Sequence, residues 1–122
     1  MLIKQLILVG VGGGIGSIFR FLISRIPFSQ GPFPWATFII NITGCFIIGL
    51  LIGLSFKYSF LDANMRLLFV TGFCGGYTTF STFSLENVLM YQSGNYLALG
   101  LYITLSVILG FAAVFLGLGL TK

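Results

Sequence analysis

The chain has 122 residues, 57% of them hydrophobic and only 7% charged, with a mean hydropathy of +1.10. Soluble domains carry roughly 25% charged residues, and a short soluble chain cannot bury this much apolar side chain. A soluble globular enzyme is excluded. A bilayer-crossing helix needs about 20 mostly apolar residues, which leaves room for about four or five spans and nothing else.

The six basic residues (Lys4, Arg20, Arg25, Lys57, Arg66, Lys122) outnumber the two acidic ones (Asp62, Glu86) and give a net charge of +4. They are dispersed and mostly flank apolar runs, so they read as topology determinants and not as a nucleic-acid surface. There is no histidine, and the two carboxylates are far apart in sequence. Histidine general-base chemistry, histidine metal sites and paired-carboxylate catalysis are therefore absent. Cys45 and Cys74 both fall in apolar runs, where a thiol is small packing material.

In chain order, the first apolar run extends from Gln5 to Phe19, is broken by Arg20 and ends at Arg25-Ile26-Pro27. It is read as a mature helix and not a cleaved signal, because glycines interrupt it and no A-x-A site follows. Gly10/Gly14 and Gly12/Gly16 each satisfy G-x-x-x-G, the spacing that lets helix backbones approach closely in lipid. The same glycines do not fit the G-x-G-x-x-G nucleotide register. Pro27 to Pro34 is turn-rich. The second span covers Trp35 to Phe56, closed by Lys57, and a short polar link runs from Asp62 to Arg66. The third covers Leu67 to Leu85. Ser93-Gly94-Asn95 marks a tight turn, and the fourth span covers Tyr96 to Leu120. The expectation is an all-α integral membrane protein: one domain, residues 1–122, of four transmembrane helices. Four spans put Lys4, Lys57, Arg66 and Lys122 on one face and Arg20 and Arg25 on the other. So small an asymmetry is compatible with insertion both ways and an antiparallel homodimer.

Polar groups at membrane depth are where function is sought, since each costs free energy unless it meets a partner or a water path. Asn41, a few turns into the second span, either bonds a neighbouring helix or donates into an anion path. The third span carries Gly75-Gly76 followed by a hydroxyl run. Unwound backbone there is tolerated only when buried in protein or lining a cavity, and its freed carbonyls suit a small hard cation. The bland alternative is a kink with hydroxyls bonding their own helix. Phe80 and Phe83 share a helix face and are interleaved with Thr79, Ser81 and Thr82. Ring edges are positive, so two such rings beside hydroxyl donors can stabilise a partly dehydrated anion. Arg20 either snorkels to the interface or concentrates anions at a pore mouth. Glu86 is either a helix-end carboxylate or a member of the same path. Tyr102 and Ser106 are co-facial on the last span.

Three stretches together resemble the bacterial Fluc (CrcB) fluoride channel family over nearly the whole chain. They are Gly12-Gly13-Gly14-Ile15-Gly16-Ser17-Ile18-Phe19-Arg20, the segment from Thr37 to Gly49 centred on Asn41, and Gly72-Phe73-Cys74-Gly75-Gly76-Tyr77-Thr78-Thr79-Phe80-Ser81-Thr82-Phe83-Ser84. The resemblance implies a dual-topology antiparallel homodimer in the cell membrane, with the third helix broken at mid-membrane, two fluoride pores and one structural sodium ion (Na+) at the dimer centre. It implies that Gly75 and Thr78 give backbone carbonyls to the sodium. Asn41, Phe80 and Phe83 would line the pore, with Ser81, Thr82, Tyr102 and Ser106 in a polar track, Glu86 at one pore end and Arg20 by the aqueous vestibule. Two positions depart from the pattern: Ala36 stands where relatives often have glycine, and Gly110 where some carry serine. The implied activity is passive fluoride export. A small multidrug-type proton-coupled exporter would need a carboxylate deep in the first span, which has none. A non-transporting scaffold subunit would not account for polar residues recurring in three spans.

Overall fold

The computed structural model describes Met1–Lys122 and is helical throughout, with no strand. The elements are α1 (Leu2–Ser24), α2 (Trp35–Lys57), α3 (Ala63–Arg66), a π-helical stretch (Leu67–Cys74), α4 (Gly75–Tyr77), α5 (Phe80–Gln92) and α6 (Tyr96–Gly119). Helices α1, α2 and α6 have 23, 23 and 24 residues and are each long and apolar enough to cross a bilayer. At 1.5 Å per residue they extend about 35 Å. The remaining span is made in two halves, α3–α4 and α5, neither of which would cross alone. The protein is thus a multi-pass membrane protein with a divided third span.

The chain packs as two pairs. α1 lies against the π-helical stretch and α4, and α2 lies against α6, while α1 and α2 touch little. Small residues set both seams. A Cβ on Gly12 would run into the Leu68 carbonyl, and one on Gly16 into the Phe73 carbonyl. Across the second seam, Gly117 faces the Phe46 carbonyl just as closely. Close backbone contact of this kind replaces the hydrophobic drive that lipid cannot supply. Of the two G-x-x-x-G pairs, only Gly12/Gly16 is used inside the protomer; Gly10 and Gly14 have open space.

Loops close with local chemistry. Asp62 accepts a 3.0 Å bond from the Met65 N–H and caps α3. Gly94 is the one residue with positive φ (78°). That conformation lets the Asn95 N–H donate back to the Met90 carbonyl at 2.9 Å and reverse the chain before α6. Phe33, in the Pro27–Pro34 segment, stacks near Trp35 and Tyr102, with ring centroids 4.6 and 5.4 Å away.

The break differs in position from the sequence expectation. Gly75 and Gly76 remain helical, and the extended residues are Thr78 (φ −81°, ψ 158°) and Thr79 (φ −149°, ψ 117°). Gly76 serves the α1 seam, having no room for a Cβ beside the Gly13 carbonyl, while Gly75 faces open space. What parts the helix is the competition for Thr79's backbone described next.

Candidate functional site

Asn41 sits six residues into α2, about 9 Å along its axis. Its Nδ2 donates to the Thr79 carbonyl at 3.1 Å, and the Thr79 N–H donates to its Oδ1 at 2.8 Å. One amide thus replaces both of the helical partners that Thr79 gives up, which is what unwound backbone at membrane depth requires. Gly44, one turn further along α2, leaves space that the Thr78 methyl and the Tyr77 ring fill. The Thr43 and Tyr77 hydroxyls share a 2.8 Å bond. Thr79 then starts the next half-helix: its Oγ1 accepts from the Thr82 N–H at 3.1 Å as an N-cap, and it lies 3.3 Å from the Ser81 hydroxyl.

A helix end leaves its last carbonyls without amide partners. Here they are divided. The Cys74 carbonyl accepts both the N–H and the hydroxyl of Thr78 (3.0 and 2.8 Å). The Gly76 carbonyl accepts from Arg20 Nε at 3.0 Å and from the Ser17 hydroxyl at 3.4 Å. No side chain donates to the carbonyls of Gly75 or Thr78, and Gly75 lies exposed with open space beside its Cα.

Beside the break is an open groove of about 540 Å³ between α2, the π-helical stretch and α6. Asn41, Thr78, Thr79, Phe80, Phe83 and Ser106 line it. The Ser106 hydroxyl is buried with no protein partner, so a residue of the groove lining keeps its hydrogen-bonding capacity unused. Phe80 is 79% exposed on the protomer surface, and its ring centroid is 5.8 Å from that of Phe83. Phe83 in turn packs 4.8 Å from the Tyr102 ring.

Tyr102 is fully buried, and its hydroxyl donates to Glu86 Oε1 at 2.8 Å. The second carboxylate oxygen, Oε2, accepts from the Thr37 hydroxyl at 2.9 Å. Glu86 therefore has both oxygens claimed by neutral donors from α2 and α6, and it forms no ion pair. Groove, phenylalanine pair, Tyr102 and Glu86 make one continuous train of side chains.

Of the residues singled out from sequence, Asn41, Gly75, Thr78, Phe80, Phe83 and Ser106 meet at the groove, and Tyr102 joins Glu86. Ser81 and Thr82 sit in the first turn of α5 beside the cap. Arg20 donates from α1 to the Gly76 carbonyl in the last turn of α4. Three participants went unassigned. Thr37 was findable, being four residues before Asn41 and hence on its face. Ser17 stands one turn before Arg20, the same spacing class. Asn87, whose Nδ2 donates to the Phe83 carbonyl at 2.9 Å while its buried Oδ1 lacks a partner, had no such signal.

Comparison with known proteins adds the lineage. The family described as CrcB-like protein, Camphor Resistance (CrcB), matches residues 7–118. A protein of Azobacteroides pseudotrichonymphae named fluoride-specific ion channel FluC is 54% identical, over 99% of this chain and 98% of that protein. Proteins of the same name from Flavobacterium psychrophilum and Chlorobaculum tepidum are 43% and 42% identical, over 98% and 100% of this chain and 98% of each relative. Matched along nearly its whole length by that family, the chain belongs to the CrcB family.

Proposed function

We propose that the protein is a fluoride-selective channel, passing the ion down its gradient and so relieving a cell that accumulates it. The observation that carries this reading is the train of polar and ring-edge groups along one groove, in a chain 54% identical to a protein named for fluoride conduction. Fluoride is small and strongly hydrated, so a selective path must offer donors close enough to replace its water. The remaining Asn41 N–H, the hydroxyls of Ser81, Thr82 and Ser106, and the edges of Phe80 and Phe83 are groups of that kind. None is a fixed cation that would trap the ion. Glu86 terminates the train with Thr37 and Tyr102 as donors that an arriving anion can share.

The working unit of this proposal is an antiparallel homodimer. Support comes from the break itself. The exposed Gly75 and Phe80 and the extended Thr78–Thr79 backbone fall near the middle of the divided third span, and unwound backbone in a span is tolerated only against protein or a cavity. A second copy covering this face supplies both. The weak basic asymmetry between the two ends permits opposite insertion.

A sodium ion at the centre belongs to the same proposal. The donor-free carbonyls of Gly75 and Thr78 are neutral oxygen ligands, the type a hard cation takes. Two from each copy make four, at the negative end of a helix dipole. The residues present fit a structural alkali cation.

The test is fluoride efflux from liposomes carrying the purified protein, followed with an ion-selective electrode and with chloride as control. Fluoride loss that requires a potassium ionophore, without chloride loss, is the expected result. Vesicles that hold their fluoride, with folded dimer present, would overturn the reading in favour of a non-transporting subunit.

A further inference from the structure

Arg20 carries an unusual bond for a cation within a membrane helix. Its Nε, not its terminal nitrogens, donates to a backbone carbonyl, that of Gly76, at 3.0 Å. The Ser17 hydroxyl reaches the same oxygen at 3.4 Å from one turn earlier on α1. Gly76 also packs directly on α1, with no space for a Cβ beside the Gly13 carbonyl. Two donors and a backbone wall therefore hold one peptide plane of the last helical turn before the break. The next residue, Tyr77, leads directly into the extended pair Thr78–Thr79. The nearby carbonyls of Gly75, one residue before, and Thr78, two residues after, receive no side-chain donor.

We infer that Arg20 is a positioning residue for the break. By holding the Gly76 carbonyl toward α1, it fixes the rotation of the final α4 turn, and so the direction in which the Gly75 and Thr78 carbonyls and the Phe80 ring are presented. The role is separate from that of a diffuse positive charge at a pore mouth. A charge needs only to be near; positioning needs a donor at the Nε site. A guanidinium suits the task because its donors are rigidly planar and always charged, and because a cation is stabilised at a helix C-terminus. The inference rests on the conduction reading for its functional consequence, but not for the bond itself.

Two substitutions separate the roles. Arg20→Gln keeps an N–H donor at the position of Nε and removes the charge. Arg20→Lys keeps the charge but carries its nitrogen one atom further out. Gly76-Tyr77 is the one Gly-Tyr pair in the chain, so carbonyl-13C glycine combined with 15N tyrosine reads the Gly76 carbonyl alone by solid-state NMR. Loss of its hydrogen bond moves that signal upfield. The expected result is an upfield shift in Arg20→Lys and a near-native signal in Arg20→Gln. At saturating fluoride, where surface charge no longer limits entry, maximal flux should fall roughly tenfold or more in Arg20→Lys and less in Arg20→Gln. Dimer assembly, read by size exclusion, stays native in both. The reverse order of flux, or a native Gly76 signal with native flux in Arg20→Lys, would overturn the inference. Absence of flux in the wild type would instead strike the conduction reading. The Gly76 signal would still decide whether Arg20 holds the break.

Discussion

Asn41 and Thr79, 38 residues apart, exchange two hydrogen bonds: the side-chain amide accepts the backbone N–H at 2.8 Å and donates to the carbonyl of the same residue at 3.1 Å. One side chain on α2 thereby mimics a β-like backbone partner for a single extended residue. The arrangement explains how Thr79 can leave the helix inside a bilayer without orphaning its own N–H and carbonyl. It also means that an amide conspicuous for its place in an apolar span is structural before it is anything else.

Asn41→Ala leaves the Thr79 N–H and carbonyl unpaired. Each such group costs about 1–3 kcal/mol. The expected outcome is a clear drop in melting temperature in detergent and loss of flux. Asn41→Asp retains the acceptor and loses the donor, so it should fall between wild type and Ala in stability. Thermal unfolding of the three proteins checks the order.

Tyr102 and Thr37 each give Glu86 one hydrogen bond. Tyr102→Phe keeps the ring against Phe83 and Phe33 but removes the hydroxyl. A hydrogen bond to a charged group contributes roughly 1.5–3 kcal/mol, and we expect flux to fall by about tenfold or more. Thr37→Ala should act in the same direction. Because both donors serve one carboxylate, the double variant should depart from the product of the two single effects, and a cycle of four flux measurements reads the coupling.

The spans were legible in the sequence because charge and hydropathy mark them: Trp35 opens α2 and Lys57 closes it, and the Ser93-Gly94-Asn95 reversal is where the turn residues put it. The break was legible as a region but not as a position. Adjacent glycines in lipid can relax a helix or admit a neighbour; here both stay helical, and Gly76 admits Gly13 of α1. The π-helical stretch from Leu67 to Cys74, which lies against α1, has no residue signature. The pairing of Thr37 with Glu86 crosses 49 positions and is invisible to spacing.

The two glycine pairs of α1 should part company on substitution. Gly12→Ala drives a methyl into the Leu68 carbonyl, and backbone cannot yield as a side chain end can. Overpacking of this kind costs typically 1–3 kcal/mol or more, so poor yield and a lowered melting temperature are expected. Gly14→Ala meets nothing within 4 Å in its own protomer and should leave the monomer fold intact, as circular dichroism of the purified protein would show.

Phe80 and Phe83 are the substitutions closest to the proposed path. Their rings sit 5.8 Å apart at the groove mouth, Phe80 exposed on the protomer surface and Phe83 against Tyr102. Isoleucine at either site keeps apolar bulk and removes the positive ring edge. Fluoride flux should therefore fall in Phe80→Ile and Phe83→Ile, while dimer assembly is retained. The two should differ in stability: Phe83→Ile gives up the packing on the buried Tyr102 ring, whereas Phe80 is 79% exposed within the protomer and its one aromatic partner is Phe83. Undiminished flux in both variants would remove the rings from the path and leave the hydroxyl and amide donors to carry the ion alone.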